Sequence, residues 1–226
     1  MTNISAGSIN YDGDDFVAAS RAALVAALYA AGPNEPTLVE NWRTQHLAAA
    51  VYLRENPHRV TEEDEAEPSS ADFEAAIEQW GEESSSRKAF YNLVRKIADG
   101  PEDPPAPKRR SLLTRLRRTF TQRRQESESM LMHFFVHTED IRRAQARWAP
   151  RKLTDDYADA LFEQLREHAR KYYAQARTGY VLIRTNGERI VAKRGTDQTY
   201  VTGPAGELVL HALGRPDHAL VLIDRP

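Results

Sequence analysis

Two histidines four residues apart are the side chains in this sequence best placed to do chemistry. His133 and His137 lie in a run where Met130, Phe134 and Ile141 recur with the spacing of a buried helical stripe. A separation of four residues puts both imidazoles on one face of a helix, about 5 to 6 Å apart at Cβ. Such a pair can hold a divalent metal ion. Because the stripe should face the core, a third ligand could come from another helix.

The same pair also has an ordinary structural interpretation. A partly buried histidine bonded to nearby backbone, to Glu139 or to Asp140 needs no metal, and on residue types alone this is the commoner arrangement. Asp140 follows His137 at a spacing that could orient its ring. Arg142 and Arg143 are predicted to receive an anionic group of a cofactor or substrate, with helix-surface ion pairs as the alternative.

Composition limits the chemistry that is available. None of the 226 residues is cysteine, which excludes disulfides, thiolate metal ligands and a cysteine nucleophile. Any metal must therefore be held by histidine and carboxylate. The N-terminus lacks a basic and apolar leader, and nowhere do about 18 apolar residues run together. We expect a cytoplasmic protein, a monomer or homodimer, whose partner is a small-molecule substrate or a thiol.

Charge is unevenly distributed although the net charge is only −2. Residues 62–67 are acidic, and residues 108–124 contain eight Lys or Arg with leucines between them. As a helix, the basic segment could lie on an anionic membrane or on phosphates. A solvated helix paired with the acidic segment is the commoner outcome. Accordingly, neither a nucleic-acid partner nor a membrane partner is expected.

Helical periodicity dominates the first three quarters of the chain. The patterns predict a helix over 14–31 that Gly32-Pro33 stops, and a second from about 41 to 54. A third begins at 70 or 71 and is interrupted near Gly81. The histidine helix runs to about 147, and Thr154 caps a further helix. We expect residues 12–175 to form a helical bundle.

The periodicity changes after Gly179. Residues 180–184 and 189–193 flank Asn186-Gly187, which predicts a β-hairpin with a type I′ turn. A third strand over 199–202, a short helix over 205–212 and a last strand over 219–223 follow. The predicted fold is mainly α, with residues 178–226 forming a small C-terminal α+β lobe.

Three blocks of the sequence resemble a known family in the same order. Residues 31–57, 134–145 and 201–215 are similar to signatures of the actinobacterial metal-binding proteins related to mycothiol-dependent maleylpyruvate isomerase, in the DinB-like superfamily. Residues 62–124 are unmatched. The resemblance implies a DinB-like four-helix bundle with one divalent metal ion, most often zinc. It also implies a thiol-dependent isomerase or transferase, with mycothiol as the thiol.

The implied metal ligands are only partly present. His137 matches the last ligand of the family, but His133 stands at the position of its glutamate and Ala50 at that of its helix-two histidine. His46 lies one turn earlier, about 6 Å along the helix axis, whereas metal bonds tolerate about 0.2 Å. Two alternatives follow. Either His46, His133 and His137 form a shifted three-histidine site, or the chain is a metal-free member that binds a small molecule or a partner.

Overall fold

The computed structural model describes residues 13–60, 68–103 and 130–225, and the side chains from residue 16 onward. The basic segment 108–124 and the acidic segment 62–67, with their predicted pairing, lie outside the described residues. The helices are α1 (Gly13–Ala31), α2 (Thr44–Glu55), α3 (Ser70–Glu83), α4 (Arg87–Asp99), α5 (Met130–Arg143), α6 (Asp155–Tyr172) and α7 (Ala205–Ala212). The strands are β1 (Gly179–Arg184), β2 (Arg189–Lys193), β3 (Gln198–Gly203) and β4 (Leu222–Asp224).

Local backbone chemistry sets the helix ends. Gly32 ends α1 as predicted, with φ +79° and its amide bonded to the Leu28 carbonyl at 2.9 Å. α2 begins three residues later than the predicted start, because Asn41 has φ +63° and cannot be helical. The break after Gly81 separates α3 from α4, and Ser86 begins α4 by accepting the Ala89 amide at 3.3 Å.

α5 ends at Arg143, earlier than the predicted end near 147. Beyond it the chain turns back, and the Arg142 guanidinium donates to the Ala149 carbonyl at 3.0 Å. Thr154 stands at the N-cap of α6 as expected, although its side chain makes no capping hydrogen bond.

The C-terminal strands form one sheet in the order β2-β1-β3-β4. β1 pairs antiparallel with β2 and parallel with β3, and β4 closes the edge antiparallel to β3. The hairpin is confirmed, but the type I′ turn is wrong: only Gly187 has positive φ, +93°. Its amide bonds the Arg184 carbonyl at 2.8 Å, as in a three-residue loop with a glycine bulge. β4 starts later than the predicted residue 219 because residues 219–221 turn locally, with the Val221 amide bonded to the Ala219 carbonyl at 3.0 Å.

α5 lies between two hydrophobic cores. Phe134 packs into the first core, with α1 to α4, while Phe135 packs into the second, with α6, α7 and the sheet. Eleven of the fourteen residues of α5 are buried as a result. The fold is mainly α with a small α+β lobe, as the sequence predicted. The division into 12–175 and 178–226 stays a prediction. Among the described helices, none is long and apolar enough to span a membrane.

Candidate functional site

The two histidines of α5 meet in the interior. The His133 and His137 rings are in edge-to-face contact, with centroids 4.4 Å apart and planes at 86°. His137 is 9% exposed. The Nε2 atom of His133 is buried and has no hydrogen-bond partner within the described part of the chain. A buried, unsatisfied nitrogen is unusual, and functional sites are one of the places where it occurs.

A carboxylate fixes the orientation of His137. Its Nδ1 lies 2.9 Å from Oδ2 of Asp140. Arg215 donates to both oxygens of the same carboxylate, from Nε to Oδ1 at 2.8 Å and from Nη2 to Oδ2 at 2.6 Å. Burial alone would raise the pKa of Asp140, but hydrogen bonds from His137 and Arg215 hold that pKa below its usual value. An ionised Asp140 then accepts the Nδ1 proton of His137. The Nε2 atom of a neutral His137 keeps its lone pair.

His133 is held in its neutral form. Burial lowers the pKa of His133 well below its usual value, and the charges of His137, Arg54 and Arg215 lower it further. His133 therefore offers a neutral ring nitrogen in a surrounding of positive charge. This is an environment that favours a hydrogen-bonding or anionic group over a cation.

His46 lies against a different helix. Its ring packs directly on Gly81 of α3, where an added Cβ would approach His46 Cδ2 to 2.2 Å. Its Nδ1 accepts the backbone N–H of Arg43 at 3.2 Å, and its Nε2 lies 3.8 Å from Glu78 Oε2. Among the described residues, the metal-type donors that all lie within 4.8 Å of one another are those of His46, Glu78 and Glu82. The structure thus brings His133 and His137 together but places His46 with other partners.

The two arginines predicted to receive an anion have intramolecular partners. Arg143 is 4% exposed and bonds Glu139 at 2.7 Å and Glu207 at 2.7 and 2.9 Å. Arg142 donates to Glu139 at 2.8 Å. It also borders a shallow surface depression of about 510 Å³, together with Trp148. Their role as anion receptors stays a prediction, and Arg143 could fulfil it only by giving up buried ion pairs.

Sequence reasoning missed two partners that the fold supplies. Arg215 reaches Asp140 from 75 positions away, and Glu207 reaches Arg143 from 64 positions away. Both lie in the block 201–215. The resemblance of that block to the family was the one feature of the sequence that pointed to these residues. Spacing along one helix finds Asp140 beside His137, but it cannot find a partner from another element.

Comparison with known proteins supports the fold. Two crystal structures of mycothiol-dependent maleylpyruvate isomerase match the chain. One is a histidine-to-alanine mutant, with a TM-score of 0.60 and 18% identity, and the other has a TM-score of 0.55 and 16% identity. Each match covers 95% of this chain and 94% of the other. No protein-family model matches the sequence, and no curated protein matches it. At this identity the likeness shows a related fold.

The donors at the histidine pair do not fit the zinc ion that the sequence resemblance implies. A catalytic zinc ion generally has three protein ligands and one open position. Here His133 and His137 supply two, Ala50 offers only a methyl group at the third position, and His46 lies against Gly81. Arg54 and Arg215 add positive charge close by. We therefore derive no chemical step through a metal ion at this pair.

Proposed function

We propose that the protein binds a small molecule with an anionic group at His133 and His137, without a catalytic metal ion. The carrying observation is the buried Nε2 of His133, which has no hydrogen-bond partner within the described residues. Leaving such a group unsatisfied costs about 1 to 3 kcal/mol, which a bound molecule would recover. The charge of Arg54 favours an anionic ligand electrostatically, whereas that of Arg215 is paired with Asp140. Cytoplasmic location and a monomeric or dimeric state complete this proposal.

Titration with a simple carboxylate tests the proposal. We would add maleate to protein without a polyhistidine tag and follow the ring C–H signals of its histidines by NMR. The expected result is a saturable shift of the His133 and His137 signals, with the shift of the His137 signal lost in His133→Ala. His168→Ala is the matched control, because His168 lies on α6 and bonds its own Gln164 carbonyl at 2.9 Å. Unmoved His133 and His137 signals would count against the proposal.

A specific observation favours a second candidate, a mycothiol-dependent isomerase or transferase with a zinc ion at the pair. Asp140 contacts Nδ1 of His137, as carboxylates contact the far ring nitrogen of zinc-bound histidines and orient their rings. Both similar structures are of mycothiol-dependent enzymes. Because the chain has no cysteine, mycothiol would supply the thiol. A zinc ion would require a third protein ligand beside His133 and His137.

Zinc titration of the parent and of His137→Ala separates the two candidates, and Ala50→His tests whether the pair lacks only a third ligand. If the pair lacks only a third nitrogen, Ala50→His should gain zinc affinity by orders of magnitude, and His137→Ala in that background should remove the gain. Under the metal-free proposal, the zinc affinity of the parent is unchanged by His137→Ala. Calorimetric zinc titrations of the parent, Ala50→His and His137→Ala decide. A parent whose zinc affinity requires His137 would support the enzyme.

A further inference from the structure

A second cluster of metal-type donors lies between α2 and α3, away from the histidine pair. His46 contributes a ring nitrogen from the first turn of α2, and Glu78 and Glu82 contribute carboxylates from one face of α3. Their donor atoms all lie within 4.8 Å of one another. Glu78 and Glu82 are four residues apart, so their side chains project from adjacent turns toward the same spot.

An unsatisfied buried nitrogen points into this cluster. His46 is 7% exposed, and its Nε2 is buried without a hydrogen-bond partner among the described residues. Glu78 Oε2 lies 3.8 Å from His46 Nε2. That separation is too long for a hydrogen bond, but it leaves room for an ion bound to both atoms. The glutamates are exposed, so the site is open to solvent from one side.

Gly81 makes this arrangement possible. The ring of His46 lies so close to α3 that a Cβ at position 81 would approach His46 Nε2 to 2.8 Å and Cδ2 to 2.2 Å. Only glycine leaves that space. The ring is thereby held between Glu78 and Glu82, which flank Gly81 along the helix.

We infer that His46, Glu78 and Glu82 bind a divalent first-row metal ion, with water completing its coordination. One imidazole and two carboxylates suit zinc, manganese and related ions. The two carboxylates attract a cation, whereas arginine charges act on the His133–His137 pair. The ion would bridge α2 and α3, and it would stabilise the folded chain because the unfolded chain has no such site.

Binding of the metal ion should change a hydrogen bond at the start of α2, and this change can be measured. In the metal-free state Nδ1 of His46 accepts the Arg43 N–H at 3.2 Å, so the neutral ring carries its proton on Nε2. An ion can bind Nε2 only if this proton moves to Nδ1, which breaks the Arg43 hydrogen bond because both groups are then donors. The Arg43 amide should then exchange with solvent faster when the ion is bound. This signature would not arise from zinc bound elsewhere.

The test is zinc titration of the full, untagged chain by calorimetry and by thermal unfolding. We expect zinc to raise the Tm of the parent. Glu78→Gln and Glu82→Gln should each weaken binding by at least the roughly 10- to 100-fold that follows loss of a supporting partner. Glu83→Gln is the matched control, since it removes the same charge from the same helix outside the cluster. Gly81→Ala should weaken binding by displacing His46, with all three ligands intact.

The outcomes separate this site from the proposed small-molecule pocket. Zinc affinity that falls in Glu78→Gln and Glu82→Gln but not in His137→Ala supports the inference, whatever the result with maleate. Zinc affinity that depends on His137 and not on Glu78 or Glu82 overturns it. Absence of zinc binding by the parent also overturns it, and leaves the maleate experiment unaffected.

Discussion

The two halves of α5 differ in how their buried polar groups are hydrogen-bonded. In the second half, Glu139 is fully buried and accepts hydrogen bonds from Arg142, Arg143 and Arg151. In the first half, His133 has a buried ring nitrogen with no partner among the described residues. The Glu139 carboxylate is bonded on both oxygens, although Nη2 of Arg151 is buried without a partner among the described residues. Bonded buried carboxylates stabilise a fold, and a ligand is one explanation of an unsatisfied nitrogen such as that of His133. One helix therefore combines a structural segment with a candidate binding segment.

The largest effect is expected in the structural segment. Arg143→Ala should lower the free energy of unfolding by about 3 to 5 kcal/mol, because it leaves Glu207 buried without its ion-pair partner. Arg142→Ala is the control, since Arg142 contacts the same Glu139 but is 32% exposed, and it should cost about 1 kcal/mol or less. Urea unfolding measures both. Equal losses would show that the two arginines are equivalent and that burial does not decide their roles.

Within the histidine pair, the two residues should respond with opposite signs. His133→Leu removes the unsatisfied nitrogen and should raise the free energy of unfolding by about 1 kcal/mol. His137→Leu takes one hydrogen-bond donor from buried Asp140 and should lower it by about 1 to 3 kcal/mol. Chemical denaturation in the absence of ligand tests this. Destabilisation by both substitutions to a similar extent would assign both rings to structure.

A smaller effect is expected at Glu102, where a partly exposed carboxylate contacts α2. The Tyr52 hydroxyl donates to Glu102 at 2.7 Å and Arg59 Nε donates at 3.0 Å. These hydrogen bonds, that of Tyr52 foremost, lower the pKa of Glu102 from 4.5 to about 2. A lowered carboxyl pKa gives stability that is present above pH 4.5 and is lost as the pH falls toward 2.

Glu102→Gln should therefore flatten the fall in stability between pH 4.5 and pH 2. Denaturant unfolding of both proteins at several pH values within that window measures the two slopes. Asp103→Asn, the substitution next along the chain, is the control and should leave the slope as in the parent. A parent-like slope in Glu102→Gln would assign the acid sensitivity to other carboxylates.

The smallest effect is expected in the basic segment 108–124. Replacing Arg117, Arg118, Arg123 and Arg124 with Gln should shift stability little, because exposed ion pairs contribute about 0 to 1 kcal/mol each. Vesicles of anionic lipid and duplex DNA provide the complementary assay. Salt-dependent binding of either by the parent, lost in the quadruple variant, would give the segment a function in place of a solvated surface.

Sequence predicted best those elements whose signals are local. Gly32-Pro33 fixed the end of α1, and the Gly203-Pro204 start gave the short helix Ala205–Ala212 with its observed bounds. The predictions of a helix start and of a turn type were wrong where a single backbone φ angle determines the structure. Asn41 takes φ +63° and delays α2, and Gly187 alone has positive φ in the hairpin. Asparagine allows such angles without requiring them, so composition leaves these positions open.

The candidate site was predictable only along its own helix. The contact of His133 with His137, and that of His137 with Asp140, follow from spacings of four and three residues. The direction of the His46 ring does not, because it depends on how closely α3 approaches at Gly81. Arg215 and Glu207 reach α5 from the C-terminal lobe. Such contacts depend on how elements pack, which the spacing within one helix does not encode.

The position of α5 between two cores also bears on how the chain unfolds. Phe134 and Phe135 are neighbours in sequence but belong to different cores, and Val17 of α1 packs against both. Unfolding of either core would expose one side of α5, and the other core also depends on that helix. The two cores should therefore unfold in one cooperative transition. The α+β lobe then stabilises the helices that precede it, and a chain ending at residue 177 would not fold into a stable helical bundle.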